Sequence, residues 1–305
     1  MVHRGPADSA MLVTTNSVWQ PFCMGHECFD VEISDKVAHV RMNRPEKANS
    51  MIASFWRELP LIVDDLSAGG TVRAIVLSGE GRHFCSGMDL EVFANDPTIG
   101  ANVRPGHRSR KNERFRSTAM KLQDTFSSLE RCRVPVIAAI QGACVGGAID
   151  MVTAADMRYA SEEAYFCIAE INIGMTADVG TLQRMPKLVP EGIVRELAYT
   201  GRKWSAQEAR TVGFVNAIFS DHEAVVAGAL ETAAVIATKS PMAIWGTKQT
   251  MHYTRDHSVA DGLEYIANWN AAMFDTDDMA EAFSAASEQR AADFPDLFPA
   301  SGGLG

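Results

Sequence analysis

No apolar run in this chain of 305 residues approaches the roughly 20 that a membrane-crossing helix requires. Paired cysteines are missing as well. Cys23, Cys28, Cys85, Cys132, Cys144 and Cys167 are scattered without a CxxC spacing, so they read as reduced thiols. Cys23, His26 and Cys28 could be imagined as metal ligands, but no second ligand cluster follows at finger-like spacing, and no metal is expected. Positive charge is in short supply: 28 Lys and Arg stand against 38 Asp and Glu, giving a net charge of -10 and a pI near 5.3. A field of that sign repels nucleic acid and anionic bilayers, so neither is expected as a partner. The opening residues lack the long apolar core of a secretory signal and the Arg-rich, acid-poor character of a transit peptide. The last residues, Ser301-Gly302-Gly303-Leu304-Gly305, are not a peroxisomal address, and the expectation is a cytoplasmic protein.

Hydrophobic residues make up 47% of the chain, ample for a buried core. Short apolar runs, glycine turns and amphipathic stretches point to an α/β fold. Residues 1–27 read as a flexible leader. Phe29 to Ser34 and Val37 to Met42 alternate around Asp35-Lys36 as a hairpin does. Ile52 to Leu66 has helical spacing, and Val72 to Leu77 is a buried strand bounded by glycines. Residues 96–110 hold two prolines and two glycines without a period and are expected as a loop, followed by a helix from about Asn112 to Leu129. Val134 to Ile140 is a strand that runs into a glycine turn. Beyond Pro190 the pattern is mainly helical, with Ser205 placed to cap one helix, and after Ser240-Pro241 it is helical through about Arg290. The expected divisions are a core over 28–240, a helical region over 241–292 and a tail over 293–305.

Two glycine turns and three carboxylates carry the chemistry. Ser86-Gly87-Met88-Asp89-Leu90 and Gly146-Gly147 each follow a strand and lead toward a helical stretch, where a backbone amide is free to point outward. Two such turns could converge the Met88 and Gly147 amides on one oxygen, or each could be an ordinary glycine turn. Asp150 lies one helical turn past Gly147 and either faces the same pocket or serves as a solvated first-turn aspartate. Glu170 ends an apolar strand. Asp178 either caps the helix that begins at Val179-Gly180 or offers a free carboxylate.

The segments Met42-Asn43-Arg44-Pro45-Glu46-Lys47-Ala48-Asn49-Ser50-Met51, Phe84-Cys85-Ser86-Gly87-Met88-Asp89-Leu90, Pro135-Val136-Ile137-Ala138-Ala139-Ile140-Gln141-Gly142 and Gly146-Gly147 together resemble the enoyl-CoA hydratase/isomerase (crotonase) superfamily. The resemblance covers about Phe29 to Arg290. It implies a crotonase-like spiral of β-β-α turns, a helical C-terminal region that forms trimers or dimers of trimers, and acyl-CoA thioesters as substrates. It puts the oxyanion hole on the Met88 and Gly147 amides. Hydratases of the superfamily carry glutamates at the positions of Asp150 and Glu170 and usually glycine at that of Asp178. The trio Asp150, Glu170 and Asp178 instead resembles the Δ(3,5)-Δ(2,4)-dienoyl-CoA isomerases, whose mechanism uses two carboxylates for proton transfer. A hydratase adding water to 2-enoyl-CoA and a non-catalytic binding protein of the same fold are the rival readings. Lys47 and Lys248 are candidate CoA contacts, or else solvated surface lysines, and Arg108, Arg110 and Lys111 could contribute. No cofactor is expected, coenzyme A being part of the substrate.

Overall fold

The structure, a computed structural model, describes residues 20–21, 25–89, 91–92 and 108–300. Most of the expected leader, the central loop over 96–107 and the end of the tail lie outside the described residues. Strands β1 (Gln20–Pro21), β2 (Phe29–Ser34), β3 (Val37–Met42), β4 (Ala74–Gly79), β5 (Val136–Ile140), β7 (Met157–Ser161) and β10 (Ala217–Phe219) form one sheet in the order β1-β2-β3-β4-β5-β7-β10. The β1–β2 and β2–β3 pairs are antiparallel, and the rest are parallel. A second sheet has the order β6-β8-β9, from Ala143–Val145, Tyr165–Cys167 and Trp204–Ser205. The β2–β3 hairpin turns at Asp35 and Lys36, both at positive φ (48° and 66°), as a two-residue turn matched to strand twist requires.

Parallel strands need crossovers, and helices supply them. In chain order these are α1 (Ala53–Gly69), α2 (Arg108–Arg131), α3 (Gly147–Ala154), α4 (Thr181–Arg184), α5 (Glu191–Thr200), α6 (Ala206–Thr211) and α7 (His222–Ala237), followed by α8 (Pro241–Arg255), α9 (Val259–Met273) and α10 (Thr276–Glu288). Alternation along β4 shows why the sheet is covered on both faces. Ile75 and Leu77 enter the large core with Phe55, Leu59 and Phe126, while Ala74 and Val76 pack with Val225, Ala229 and Ala233 of α7. Ser205 caps α6 in a full capping box with Glu208, as its position predicts. Helix α2 starts at Arg108, inside the stretch expected as loop. The described part of the tail is packed: Phe294 and Leu297 are buried, and the buried Arg73 holds Phe294 O and Asp296.

Candidate active site

The two glycine turns are lashed together by short bridges. Strand β6 pairs with Cys85 through Cys144: Cys85 N donates to Ala143 O at 3.0 Å, and Val145 N to Cys85 O at 3.1 Å. Gly87 sits at φ 88°, and a Cβ there would lie 2.6 Å from Val145 O and 3.3 Å from the Gly147 nitrogen, so only glycine allows so close an approach. Met51 N donates to Gly87 O (2.9 Å) and Asp89 N to Met51 O (3.1 Å). That parallel pattern employs the amides of residues 51 and 89 and leaves the Met88 N–H out of the pairing. The expectation that a helix start frees Met88 is corrected here: the bridge to Met51 does so. Gly146, at φ 56°, opens α3, so the Gly147 N–H belongs to its unpaired first turn. A Cβ on Gly147 would lie 3.9 Å from Met88 N. Neither N–H has an acceptor among the described residues.

Both amides face a cavity of about 160 Å³ that Asp150, Glu170 and Asp178 also line, with Trp56, Ile173 and Val179 as apolar wall. Asp150 is 1% exposed on α3, a helix buried almost throughout. Its Oδ1 accepts the Thr181 N–H at 2.6 Å, and thereby Asp150 satisfies the first turn of α4 from 31 residues away. Glu170 opens a 3-10 turn (Glu170–Ile173) just past β8, rather than ending the strand. Its Oε1 reaches to 3.3 Å from where a Gly146 Cβ would stand, and its buried Oε2 has no hydrogen-bond partner. Asp178 does not cap α4: that N-cap is Gly180, which has no side-chain bond. The Asp178 carboxylate therefore stays available to the cavity.

Burial raises all three carboxyls above their ordinary range. Asp150 is pushed up to about 7, by burial first and by the Glu170 charge second, with the Thr181 N–H opposing. Glu170 rises by burial and by the charge of Asp178, against its own amide and that of Ala169. Asp178 rises by burial, against its own amide. Raised carboxyls that share one cavity hold their protons to higher pH than free ones, which suits groups that must both give and take them.

The Asp150 shift carries a stability consequence. Its folded value lies above the ordinary 3.8, so its favourable contribution is complete below 3.8 and is lost as pH rises through about 7. Over that window the ionised group costs roughly 4 kcal/mol. Asp150→Asn keeps the acceptor for Thr181 without the charge. It is expected to melt higher than wild type at pH 8, with the gap closing by pH 4. A melting difference that is flat with pH, or of opposite sign at pH 8, would overturn this account.

The lysine expectations divide. Lys47 is exposed on a 3-10 turn (Pro45–Lys47), and its charge reaches Asp89 next to the Met88 turn. Lys248 is withdrawn from any phosphate contact: it is 5% exposed, and its ammonium donates to Leu129 O (2.8 Å), Val134 O (2.9 Å) and Asp156 Oδ2 (2.8 Å). With Cys132 Sγ at 3.3 Å as a further acceptor, these partners exhaust its three donors. Arg108 and Arg110 are exposed at the start of α2, and Lys111 is half-buried.

Amides, carboxyls and sheet order together define an acid–base enzyme scaffold of the crotonase type. Residues 32–297 match the enoyl-CoA hydratase/isomerase family, and the chain belongs to it. It is 42% identical over 257 residues to the human mitochondrial Δ(3,5)-Δ(2,4)-dienoyl-CoA isomerase, an alignment spanning 83% of this chain and 77% of that one. The peroxisomal Δ(3,5)-Δ(2,4)-dienoyl-CoA isomerase of Arabidopsis thaliana is 40% identical over 261 residues, 86% of this chain and 93% of its own. Among solved structures, an enoyl-CoA hydratase from Bacillus anthracis superposes with a TM-score of 0.75 at 27% identity, covering 94% of this chain and 100% of that one. The names of the relatives overturn the cytoplasmic expectation, for they are mitochondrial or peroxisomal proteins.

Proposed function

We propose that this chain shifts the double bonds of a 3,5-dienoyl-CoA to the 2,4 positions. The observation that carries the reading is the uncommitted Asp178 carboxyl: Asp150 takes the capping task, and Asp178 faces Glu170 across the cavity. The Met88 and Gly147 amides hold the thioester oxygen, which makes the C2 proton acidic and stabilises the dienolate left by its removal. One of Glu170 and Asp178 removes the C2 proton, and the other, protonated, delivers one to C6. Asp150 orients and tunes Glu170. The chemistry draws on no redox or metal group, and Lys47 is the remaining candidate for the CoA phosphates. The relatives' names support the substrate, and a place in fatty-acid degradation accords with it.

Incubation with 3,5-dienoyl-CoA and 2-enoyl-CoA in parallel tests the reading. A conjugated-diene absorbance change with the first substrate, and little turnover of the second, is expected. The reverse pattern would make the protein a hydratase.

Homotrimers, or dimers of trimers, are part of the same proposal. Met251, Leu263 and Phe283 on α8 to α10 are 68%, 65% and 69% exposed, whereas Ile244, Ile266 and Trp269 are only partly so. Exposed large apolar side chains on three successive helices are what a contact between protomers would cover. Light scattering at micromolar concentration decides, and a monomer would refute it.

A further inference from the structure

Behind the reaction cavity lies a second one of about 500 Å³, and Asp178 and Val179 form the wall between them. The second cavity has Gln123, Glu130, Arg184 and Arg255 on its sides. From it, two donors reach the backbone that bears the Asp178 carboxyl. Gln123 Nε2 donates to Asp178 O at 2.7 Å, and Arg184 Nη1 to Val179 O at 3.3 Å.

Arg184 is itself fixed. Its Nε and Nη2 lie 2.8 and 2.7 Å from Glu130 Oε2, and Nη2 donates to Ser127 Oγ at 3.0 Å. The other oxygen of Glu130 accepts Arg255 Nη1, from α8, at 2.6 Å. Gly180 makes room for this arrangement: at φ 141°, a Cβ there would fall 1.8 Å from Arg184 Nη1. Burial works to raise the Glu130 carboxyl, but its bonds and charge pairing with Arg184 and Arg255 hold it below the usual range. The anion thus compensates two cations that would otherwise draw the proton off a nearby acid.

We propose that Arg184, clamped by Glu130 and Arg255 and assisted by Gln123, is a positioning residue that fixes the Asp178–Gly180 backbone from behind. It acts through Asp178 and touches no substrate. Little in the local sequence around Arg184 announces this, because Glu130 and Ser127 come from α2, and Arg255, which holds Glu130, from α8. The inference rests on the isomerase reading, in which Asp178 exchanges a proton.

The test is a double-mutant cycle with 3,5-dienoyl-CoA, in which Arg184→Gln is made in wild type and in Asp178→Asn. Displacing a catalytic group by about 1 Å costs about 10²-fold, so Arg184→Gln is expected to lower kcat by ~10–100-fold with KM little changed. In the Asp178→Asn background the same change should cost almost nothing further. Arg184→Lys should not rescue, since a single ammonium cannot span Glu130 and Val179 O together. Gln123→Leu, at an exposed position, supplies a second cycle should Arg184→Gln fail to fold, with a smaller kcat loss that also vanishes beside Asp178→Asn. Equal losses in both backgrounds, or an unchanged kcat, would remove the positioning role while leaving the isomerase reading intact. A wild type that does not convert the dienoyl thioester would bring down that reading and this inference together.

Discussion

Asp178→Asn is expected to slow conversion of a 3,5-dienoyl-CoA by ~10²–10⁴-fold, the usual loss when one member of an acid–base pair is disabled. The amide matches the carboxylate in size, and no helix cap depends on it, so fold and thioester binding should persist. Glu170→Gln should be comparably damaging, and Asp150→Asn less so, since Asp150 bonds the Thr181 amide rather than facing the cavity with both oxygens free. The pH dependence follows from the directions of the shifts. In the proposed mechanism, turnover needs one of Glu170 and Asp178 ionised and the other protonated. As pH falls, the base becomes protonated and the rate drops; as pH rises, the acid ionises and it drops again. Because burial raises both carboxyls, the window should lie above that of an ordinary carboxyl pair, and Asp178→Asn should abolish one limb. Near-wild-type turnover by Asp178→Asn would make the residue a bystander. The hydratase reading built on Asp150 and Glu170 would then be the better one.

Gly87→Ala should cost nearly as much, ~10²–10³-fold in kcat, which is the scale of losing one oxyanion donor. The added methyl would be forced to within 2.6 Å of Val145 O and 3.3 Å of the Gly147 nitrogen, between the two turns whose spacing places the amides. Part of any loss would come from placing alanine at φ 88°. Gly213→Ala separates the two effects, because Gly213 has φ 82° but nothing within 4 Å of an added Cβ. Both variants should melt lower through the shared strain, Gly87→Ala further because of its clash, with activity lost only in Gly87→Ala. Equal activity in the two would mean that the amides of Met88 and Gly147 do not depend on this close approach.

Much of the fold was legible because its determinants are local. Helix α5 runs from Glu191 to Thr200 as its periodicity and flanking Pro190 and Gly201 indicate, and the hairpin at Asp35-Lys36 is where alternation placed it. The two glycine turns that line the cavity stand out in the sequence as well, since glycines at fixed offsets after strands are a short-range signal. Partners far apart in the chain were not. Lys248 sits in an amphipathic helix like any solvated lysine, and only folding brings it to the carbonyls of Leu129 and Val134 and to Asp156. Of the two roles the sequence leaves open for Asp178, the cap of α4 is the one the fold gives elsewhere, to Asp150 from another helix. Local rules pick the adjacent residue, and tertiary structure is free to bring a distant one.

Helix α8 has two attachments and one outward-facing side chain. Lys248 roots it in the body beside Leu129, Arg255 grips Glu130 behind the Asp178 wall, and Met251, between them in sequence, turns its side chain outward. A helix held so firmly at two points behaves as a stiff rod, and pressure on its outer side is passed inward with little loss. In the proposed trimer, a contact made over Met251 would thus share one helix with the groups that hold the Asp178 wall.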